Sequence, residues 1–287
     1  MEIKRNTLLS TMTSWKIGGP ASLLLIPENK NELAEAVKIG KEAGGFYLIG
    51  NGTNILARDE GYSFPLIKLG KDFKDYDLKG KLLYAKAGAS LIALALKTAQ
   101  EGMEGLEFAS GIPGTLGGGI IMNAGAHGLE MKDIILEVEV YDIIDEKYKK
   151  MTNKEIDFSY RSSIFKNNPR YIIVDALMEL SSGDQDSLMK KIKKHKEDRQ
   201  LRQPYEYPNC GSVFKNPPGH SAGKLIEDAG LKGFNINDAE VSNKHGNFII
   251  NKGNATAKDI ILLMEYIEEV VKEKFNVNLE REVIILG

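Results

Sequence analysis

The chain has 287 residues, 42% hydrophobic and 27% charged, with a formal net charge of -2, which argues against a polyanion such as nucleic acid as partner. Its one cysteine, Cys210, excludes an internal disulfide and a cysteine-ligated zinc site, and no metal is expected. Residues 1–7 lack the apolar core of a signal peptide and no segment approaches the roughly 20 apolar residues of a membrane span, so the expectation is a cytoplasmic protein of two or three lobes without membrane insertion.

Residues 6–20 mix hydroxyl side chains with a closing Gly-Gly-Pro and read as a surface turn leading into a short strand over 21–26. From Asn31 the pattern is helical, with Leu33, Ala36, Val37 and Gly40 on one face, and Gly44-Gly45 ends it before an apolar strand over 46–49. This is a strand-helix-strand unit. The strand runs into Gly50-Asn51-Gly52-Thr53-Asn54, a turn able to offer consecutive amides to a diphosphate. It is no Rossmann fingerprint: Ile55-Leu56-Ala57 continues as extended chain, so a dinucleotide held here is held by loops and not by a helix terminus.

A strand over 81–87 precedes a helix capped by Ser90, carrying Leu91, Leu94, Ala95 and Thr98 and ending at Gly102. The densest glycine stretch follows at 105–128, with Gly111, Pro113, Gly114, Thr115, Gly118, Gly119, Asn123, Gly125 and Ala126, nearly uncharged throughout. Such backbone turns tightly and admits something flat or anionic to its amides, a cofactor cradle by composition. The alternative is a buried connection whose glycines only permit close packing. Strands over 135–144 and 171–180 give a sheet-rich second lobe, and Phe158 to Phe165 between them holds Arg161 among hydroxyls and aromatics. That arginine is either an anion holder in a partly dry place or an edge-strand residue with no ligand.

Residues 186–199 form a lysine-rich helix that reads as a solvated face bridging lobes. Residues 203–208 break regular structure and mark a boundary, after which 209–219 reads as a second functional loop. Ser221 caps a short helix stopping at Gly230, 247–251 is a strand, Thr256 caps a long amphipathic helix to about Lys274, and 279–286 closes as a strand.

Read together, these segments resemble the UDP-N-acetylenolpyruvoylglucosamine reductases. The resemblance spans nearly the whole chain and rests on Ile17-Gly18-Gly19-Pro20, Gly52-Thr53-Asn54, the stretch 105–128, Tyr160-Arg161-Ser162-Ser163, Gly211-Ser212-Val213-Phe214-Lys215-Asn216-Pro217, Ala222 to Glu227, Lys244-His245-Gly246-Asn247-Phe248 and Glu282-Val283. It implies an α+β protein: a two-lobed FAD-binding module of the vanillyl-alcohol-oxidase type over 1–78 and 79–201, and a third α/β substrate domain over 202–287 whose last strand returns to the active site. FAD is then bound non-covalently, with cofactor contacts from residues 50–55, that is Gly50, Asn51, Gly52, Thr53, Asn54 and Ile55, and from the cradle residues named above. NADPH is the implied reductant, a UDP-sugar the substrate, and the enzyme a monomer.

Hydride addition to an enolpyruvyl ether puts electron density on the α-carbon and its carboxylate, so the site must stabilise an enolate-like species and then protonate it. By resemblance Arg161 takes that charge, Ser212 delivers the proton and Glu282 is the second essential polar residue. Substrate contacts are implied for Tyr160, Arg202, Lys215, Asn216 and His245. Cys210, with His245 as base, is a rival nucleophile read as a bystander, and His127 is read as a loop histidine and not a flavin attachment point. The interval from Arg161 to Ser212 resembles the short family form, which lacks an inserted loop carrying a tyrosine. Two other readings stay open on the residues alone: another FAD-dependent oxidase or dehydrogenase of the same fold, and a catalytically silent flavin-nucleotide-binding module.

Overall fold

Two long antiparallel strands, Ile135–Asp142 and Tyr171–Glu179, form the centre of a five-stranded sheet in the order Lys147–Thr152, Ile135–Asp142, Tyr171–Glu179, Leu82–Lys86, Tyr76–Lys79. The computed structural model describes every residue except Asn167. The chain divides into two units built from interleaved stretches: residues 1–3, 24–50 and 65–198 in the first, and 4–23, 51–64 and 199–287 in the second.

In the first unit Val138, Val140, Ile173, Ala176, Met178, Leu83 and Ala85 share one buried core with Leu91, Leu94 and Ala95 of helix α2 (Leu91–Gln100) and with Leu116 and Ile120 of helix α3 (Leu116–Ile121). Burying one face of a sheet against helices in this way is the main source of its stability. Helix α1 (Lys30–Glu42) crosses between short strands at Leu24–Leu25 and Tyr47–Leu48, both parallel to Leu66–Ile67. The crossover is the one the strand-helix-strand pattern requires. The helix begins one residue before the periodicity at Asn31 because the Asn29 side chain caps it, accepting from the Glu32 amide at 3.0 Å. A short helix α4 (Asn153–Ile156) follows the outer strand of the large sheet.

Helix α5 (Gln185–Arg202) departs from its reading as a solvated face: Leu188 and Ile192 are buried with Ala99, and Lys191 pairs with Glu104 at 3.1 Å and with the buried Glu107 at 2.8 Å. The lysines that surround Ile192 and dominate the rest of the helix hid the two apolar positions.

The second unit packs helices α6 (Ala222–Asp228) and α7 (Ala257–Phe275) with an antiparallel sheet of Asn235–Ile236, Ala239–Val241 and Ile249–Asn251. Its core holds Trp15, Ile17, Leu56, Val213, Phe214, Ile226, Leu263, Ile267 and Val283. Thr256 caps α7 as its spacing predicts, and Asp59 adds a carboxylate that accepts from the amides of Ala257 at 2.9 Å and Lys258 at 3.1 Å.

Three expectations are corrected. Residues 6–20 are not a surface turn: a strand runs over Glu2–Leu8, and Leu9 and Trp15 are wholly buried, Trp15 donating its indole N–H to the Ile249 carbonyl at 2.8 Å. The glycine stretch contains helix α3, held by packing described below and not by propensity. The closing strand spans only Ile284–Leu286, parallel to Ile55–Ala57, because residues 280–283 first bond to the loop at 213–215.

Trp15→Ala should lower the unfolding free energy by about 3 to 5 kcal/mol, the usual cost of emptying a large aromatic site. Chemical denaturation of the two proteins measures it. Loss below about 1 kcal/mol would mean that the segment is not a core element.

Candidate active site

The candidate residues fall in both units. In the first, a 3-10 turn at Glu107–Gly111 leads through Pro113 to Gly114, whose φ of +150 suits glycine. Thr115 then caps α3, its hydroxyl accepting from the Gly118 amide at 3.2 Å. Three consecutive glycines are poor helix formers, at about 1 kcal/mol each relative to alanine. Gly117 and Gly119 are favoured because α3 lies closely on the segment before α2 and on its start: the amides of Leu116 and Gly117 each donate at 2.8 Å, to the carbonyls of Ala89 and Ala87. A Cβ on Gly117 would stand 3.1 Å from the Ala87 Cβ, and one on Gly119 would stand 2.8 Å from Leu91 Cδ1. Gly118 points the other way, where a Cβ would meet nothing closer than its own cap at 3.4 Å. A Cβ on Gly50 would come within 3.0 Å of the Thr115 hydroxyl, so the chain just after the Tyr47–Leu48 strand packs against the cap of α3.

Asn123 follows at φ +41, fully buried, with its side-chain amide hydrogen-bonded inside the protein. Gly125-Ala126 pairs with Leu129-Glu130, and a Cβ on Gly125 would lie 2.7 Å from the Leu129 carbonyl oxygen. His127 at φ +55 stacks its ring on that of His195, with centroids 3.6 Å apart. Arg161 stands at the tip of a two-residue turn closed by amide-to-carbonyl bonds in both directions between Ser159 and Ser162, at 3.0 and 3.1 Å. It is therefore not an edge-strand residue. Its φ of +53 is unusual for a branched-free, long side chain and costs of order 1 kcal/mol, which local structure must offset. The guanidinium donates to the Gly125 carbonyl at 3.4 Å and lies 5.2 Å from the centroid of the exposed Tyr160 ring.

In the second unit Asn51 is exposed and Gly52 takes φ +64, with the Met12 carbonyl only 2.1 Å from where a Cβ would be. The Ser14 amide donates to the Gly52 carbonyl at 3.0 Å, and the Ser14 hydroxyl oxygen is buried with no hydrogen-bond partner among the described residues. Thr53 and the Asn54 side chain follow, and Asn54 donates to the Glu282 carbonyl at 3.1 Å while its own carbonyl accepts from Ile284 at 3.1 Å. Ile55 then enters the parallel pair with Ile284.

Ser212 sits on a loop that Gly211 turns at φ +83 and that Asn247 fastens. Asn247, 4% exposed, accepts from the Phe214 amide at 2.9 Å and donates to the Phe214 carbonyl at 2.8 Å, and its own carbonyl receives the Val213 amide at 2.9 Å. The Glu282 amide donates to the Val213 carbonyl at 2.8 Å, so Ser212 and Glu282 are carried on backbones that bond directly to one another. Lys215 pairs with Glu280, and the Asn216 side chain accepts from the Ala222 amide at 3.0 Å, leaving that side chain part of the entry to α6. His245 accepts at Nδ1 from the Asn247 amide at 3.2 Å, and burial followed by the nearby Lys232 charge holds its pKa below the usual value, so the imidazole is neutral. Arg202 is exposed at the last position of α5.

Asn247 and Ser14 carry the site without having been picked out from the sequence. Asn247 lay inside a motif but gave no sign that its amide would hold the serine loop, and Ser14 lay in the segment read as a surface turn.

In the first unit the open face at Gly118 beside closely packed glycines, and in the second the Gly52 turn with the Ser14 hydroxyl lacking a partner among the described residues, each suit FAD, which needs close amides and few intervening side chains. Comparison with known proteins agrees. Residues 21–151 match the FAD binding domain family, and residues 203–286 match the UDP-N-acetylenolpyruvoylglucosamine reductase C-terminal domain. A UDP-N-acetylenolpyruvoylglucosamine reductase of Caldanaerobacter subterraneus is 45% identical over 283 residues, covering 98% of this chain and 93% of the relative. The Bacillus subtilis enzyme of the same name is 37% identical, covering 100% and 94%. The crystal structure of a UDP-N-acetylenolpyruvylglucosamine reductase from Thermus caldophilus superposes with a TM-score of 0.88 at 36% identity, over 100% of both chains. The fold is thus a mixed α/β FAD-binding fold and the protein an FAD-dependent oxidoreductase. The chain belongs to the UDP-N-acetylenolpyruvoylglucosamine reductase family. That membership displaces the two other readings left open by the residues alone.

Cys210 is buried, and burial, with a smaller contribution from the Glu282 charge, pushes its thiol well above the usual range. A thiol so held is protonated and inert at neutral pH. Native protein should therefore react with an aromatic disulfide reagent at least about 100-fold more slowly than the denatured chain, followed by absorbance. Rapid stoichiometric reaction of the folded protein would contradict this placement.

Proposed function

We propose that the protein reduces the enolpyruvyl ether of UDP-N-acetylglucosamine enolpyruvate to UDP-N-acetylmuramate for peptidoglycan synthesis, with NADPH as electron source, acting as a cytoplasmic monomer. Residues 1–78 and 79–201 serve the flavin in this reading, and 202–287 the sugar nucleotide. The observation that carries it is the bond between the Ser212 loop and the segment of Glu282 that leads into the closing strand, with the Ser212 loop fastened by Asn247, in a chain of this family. FAD supplies hydride transfer when bound, through the glycine-lined segments at 50–55 and 111–126.

The remaining chemistry falls to the chain's own side chains. Addition of hydride to the β-carbon leaves an electron pair on the α-carbon, delocalised into the carboxylate. Arg161, permanently charged and bidentate by geometry, neutralises that developing anion. Ser212 donates its hydroxyl proton to the α-carbon. Serine is a weak acid in water, but an enolate is a strong base, so position outweighs pKa. Glu282 supplies the second polar group at the serine, and a proton from solvent then restores the hydroxyl. Tyr160, Arg202, Lys215, Asn216 and His245 are the proposed contacts to the sugar nucleotide, with the neutral His245, its Nδ1 taken by the Asn247 amide, suited to donate from Nε2 without adding charge.

The two half-reactions separate the roles, since oxidation of NADPH needs no proton delivered to carbon. Ser212→Ala should accept electrons from NADPH at close to the wild-type rate and lose about 10²- to 10⁴-fold in reoxidation by the enolpyruvyl substrate, measured by stopped flow. Reoxidation at the wild-type rate would remove Ser212 from the mechanism.

A further inference from the structure

We infer that Asn123 and Ser163 are positioning residues for Arg161, clamping its turn to the hairpin whose carbonyl receives the guanidinium. The inference rests on the role proposed for Arg161 above. An arginine can stabilise charge that develops in a transition state only if it is held where that charge forms, and a long side chain on a two-residue turn has many ways to move. The structure provides restraints against this from four sides.

Asn123 is the centre of them. Its Nδ2 donates to Glu130 Oε2 at 2.6 Å and to the Ser159 carbonyl at 3.0 Å, while its Oδ1 accepts from the Lys132 amide at 3.0 Å. Ser159 opens the turn that carries Arg161, and Glu130 is the residue paired with Gly125 in the hairpin. Gly125 in turn offers its carbonyl to Arg161. The bonds form a closed circuit: Asn123 holds the turn with one hydrogen and, with the other, Glu130 on the strand paired with the guanidinium's acceptor Gly125. Ser163 closes the far side of the turn, donating its hydroxyl to the Ile121 carbonyl at 2.8 Å, at the end of α3. Lys166 donates to the Arg161 carbonyl at 3.1 Å, and Lys132 pairs with Glu130 at 3.0 Å, which fixes the carboxylate that Asn123 must satisfy.

Asparagine is the residue type this position demands. It tolerates φ +41, and it brings two donors and an acceptor on a short stem. Aspartate would set a second carboxylate against Glu130 and lose both donors, and serine could not reach all three partners. The side chain being engaged in this way, any part Asn123 takes in holding FAD falls to its backbone.

A double-mutant cycle on the full-length FAD-loaded enzyme tests this. Asn123→Gly, which keeps the left-handed backbone, and Ser163→Ala are each made alone and together with Arg161→Ala. Flavin reduction by NADPH and turnover of the enolpyruvyl sugar are both measured. Each single variant should lose about 10- to 100-fold in turnover, as small misplacements of catalytic groups do, and Ser163→Ala should keep flavin reduction within about twofold of wild type. In the Arg161→Ala background the same substitutions should cost less than about twofold, and Ser163→Thr should restore most of the loss in Ser163→Ala. Equal losses in both backgrounds, or a Ser163→Ala loss that falls on flavin reduction, would overturn the inference and leave the proposed function standing. Should Asn123→Gly fail to fold, Ser163→Ala decides by the same criteria. Wild-type turnover by Arg161→Ala alone would overturn both the inference and the role assigned to Arg161.

Discussion

Backbone can lie against backbone only where side chains are missing, and the first unit is built on one such contact, residues 114–119 against 87–91. Two amide bonds of 2.8 Å from Leu116 and Gly117 set the distance, at which a Cβ on Gly117 would press on Ala87 and one on Gly119 would need the Leu91 side chain to move. The contact fixes where α3 begins, hence where the Thr115 cap sits and where the bare face at Gly118 opens. The end of α3 then determines the rest of the site in this unit, because Ile121 receives Ser163 and Asn123 receives the turn of Arg161. Substitution of these glycines would shift the turn of Arg161 without touching it.

Loops that carry reactive groups must satisfy their own buried backbone, and this protein does so repeatedly with asparagine side chains. Asn123 joins three segments, Asn54 holds the carbonyl of Glu282, and Asn247 closes both sides of Phe214 behind Ser212. Asn251 does the same for the Trp15 carbonyl and for the amides of Gly253 and Ala255. One amide group provides donors and an acceptor in a plane, so it can bridge strands that do not ladder. The consequence, within each unit, is that loops are fastened largely by asparagine amides, with the Glu130 carboxylate as one charged acceptor.

Elements with a clear period and a cap were legible: α2 from Ser90, α7 from Thr256, the paired strands beginning at Ile135 and Tyr171. The catalytic candidates were legible as motif members but not as geometry. Nothing local shows that Asn247 is the fastening of the serine loop, since its partners lie 33 residues away. Helix α3 was hidden because glycine propensity argues against it and long-range backbone contacts override propensity. Trp15 was hidden because it stands among hydroxyl residues in a segment with no period, and its burial depends on Ile249, 234 residues on. What local pattern cannot reveal is which polar atom a distant carbonyl needs.

The central claim is that one flavin passes electrons from NADPH to an enolpyruvyl ether. The most direct measurement is the visible spectrum of the purified protein under anaerobic conditions. The account predicts oxidised-flavin absorbance that bleaches on adding NADPH and returns when UDP-N-acetylglucosamine enolpyruvate is added, with one UDP-N-acetylmuramate formed per flavin reoxidised. A flavin that NADPH bleaches but that this substrate leaves bleached would contradict it.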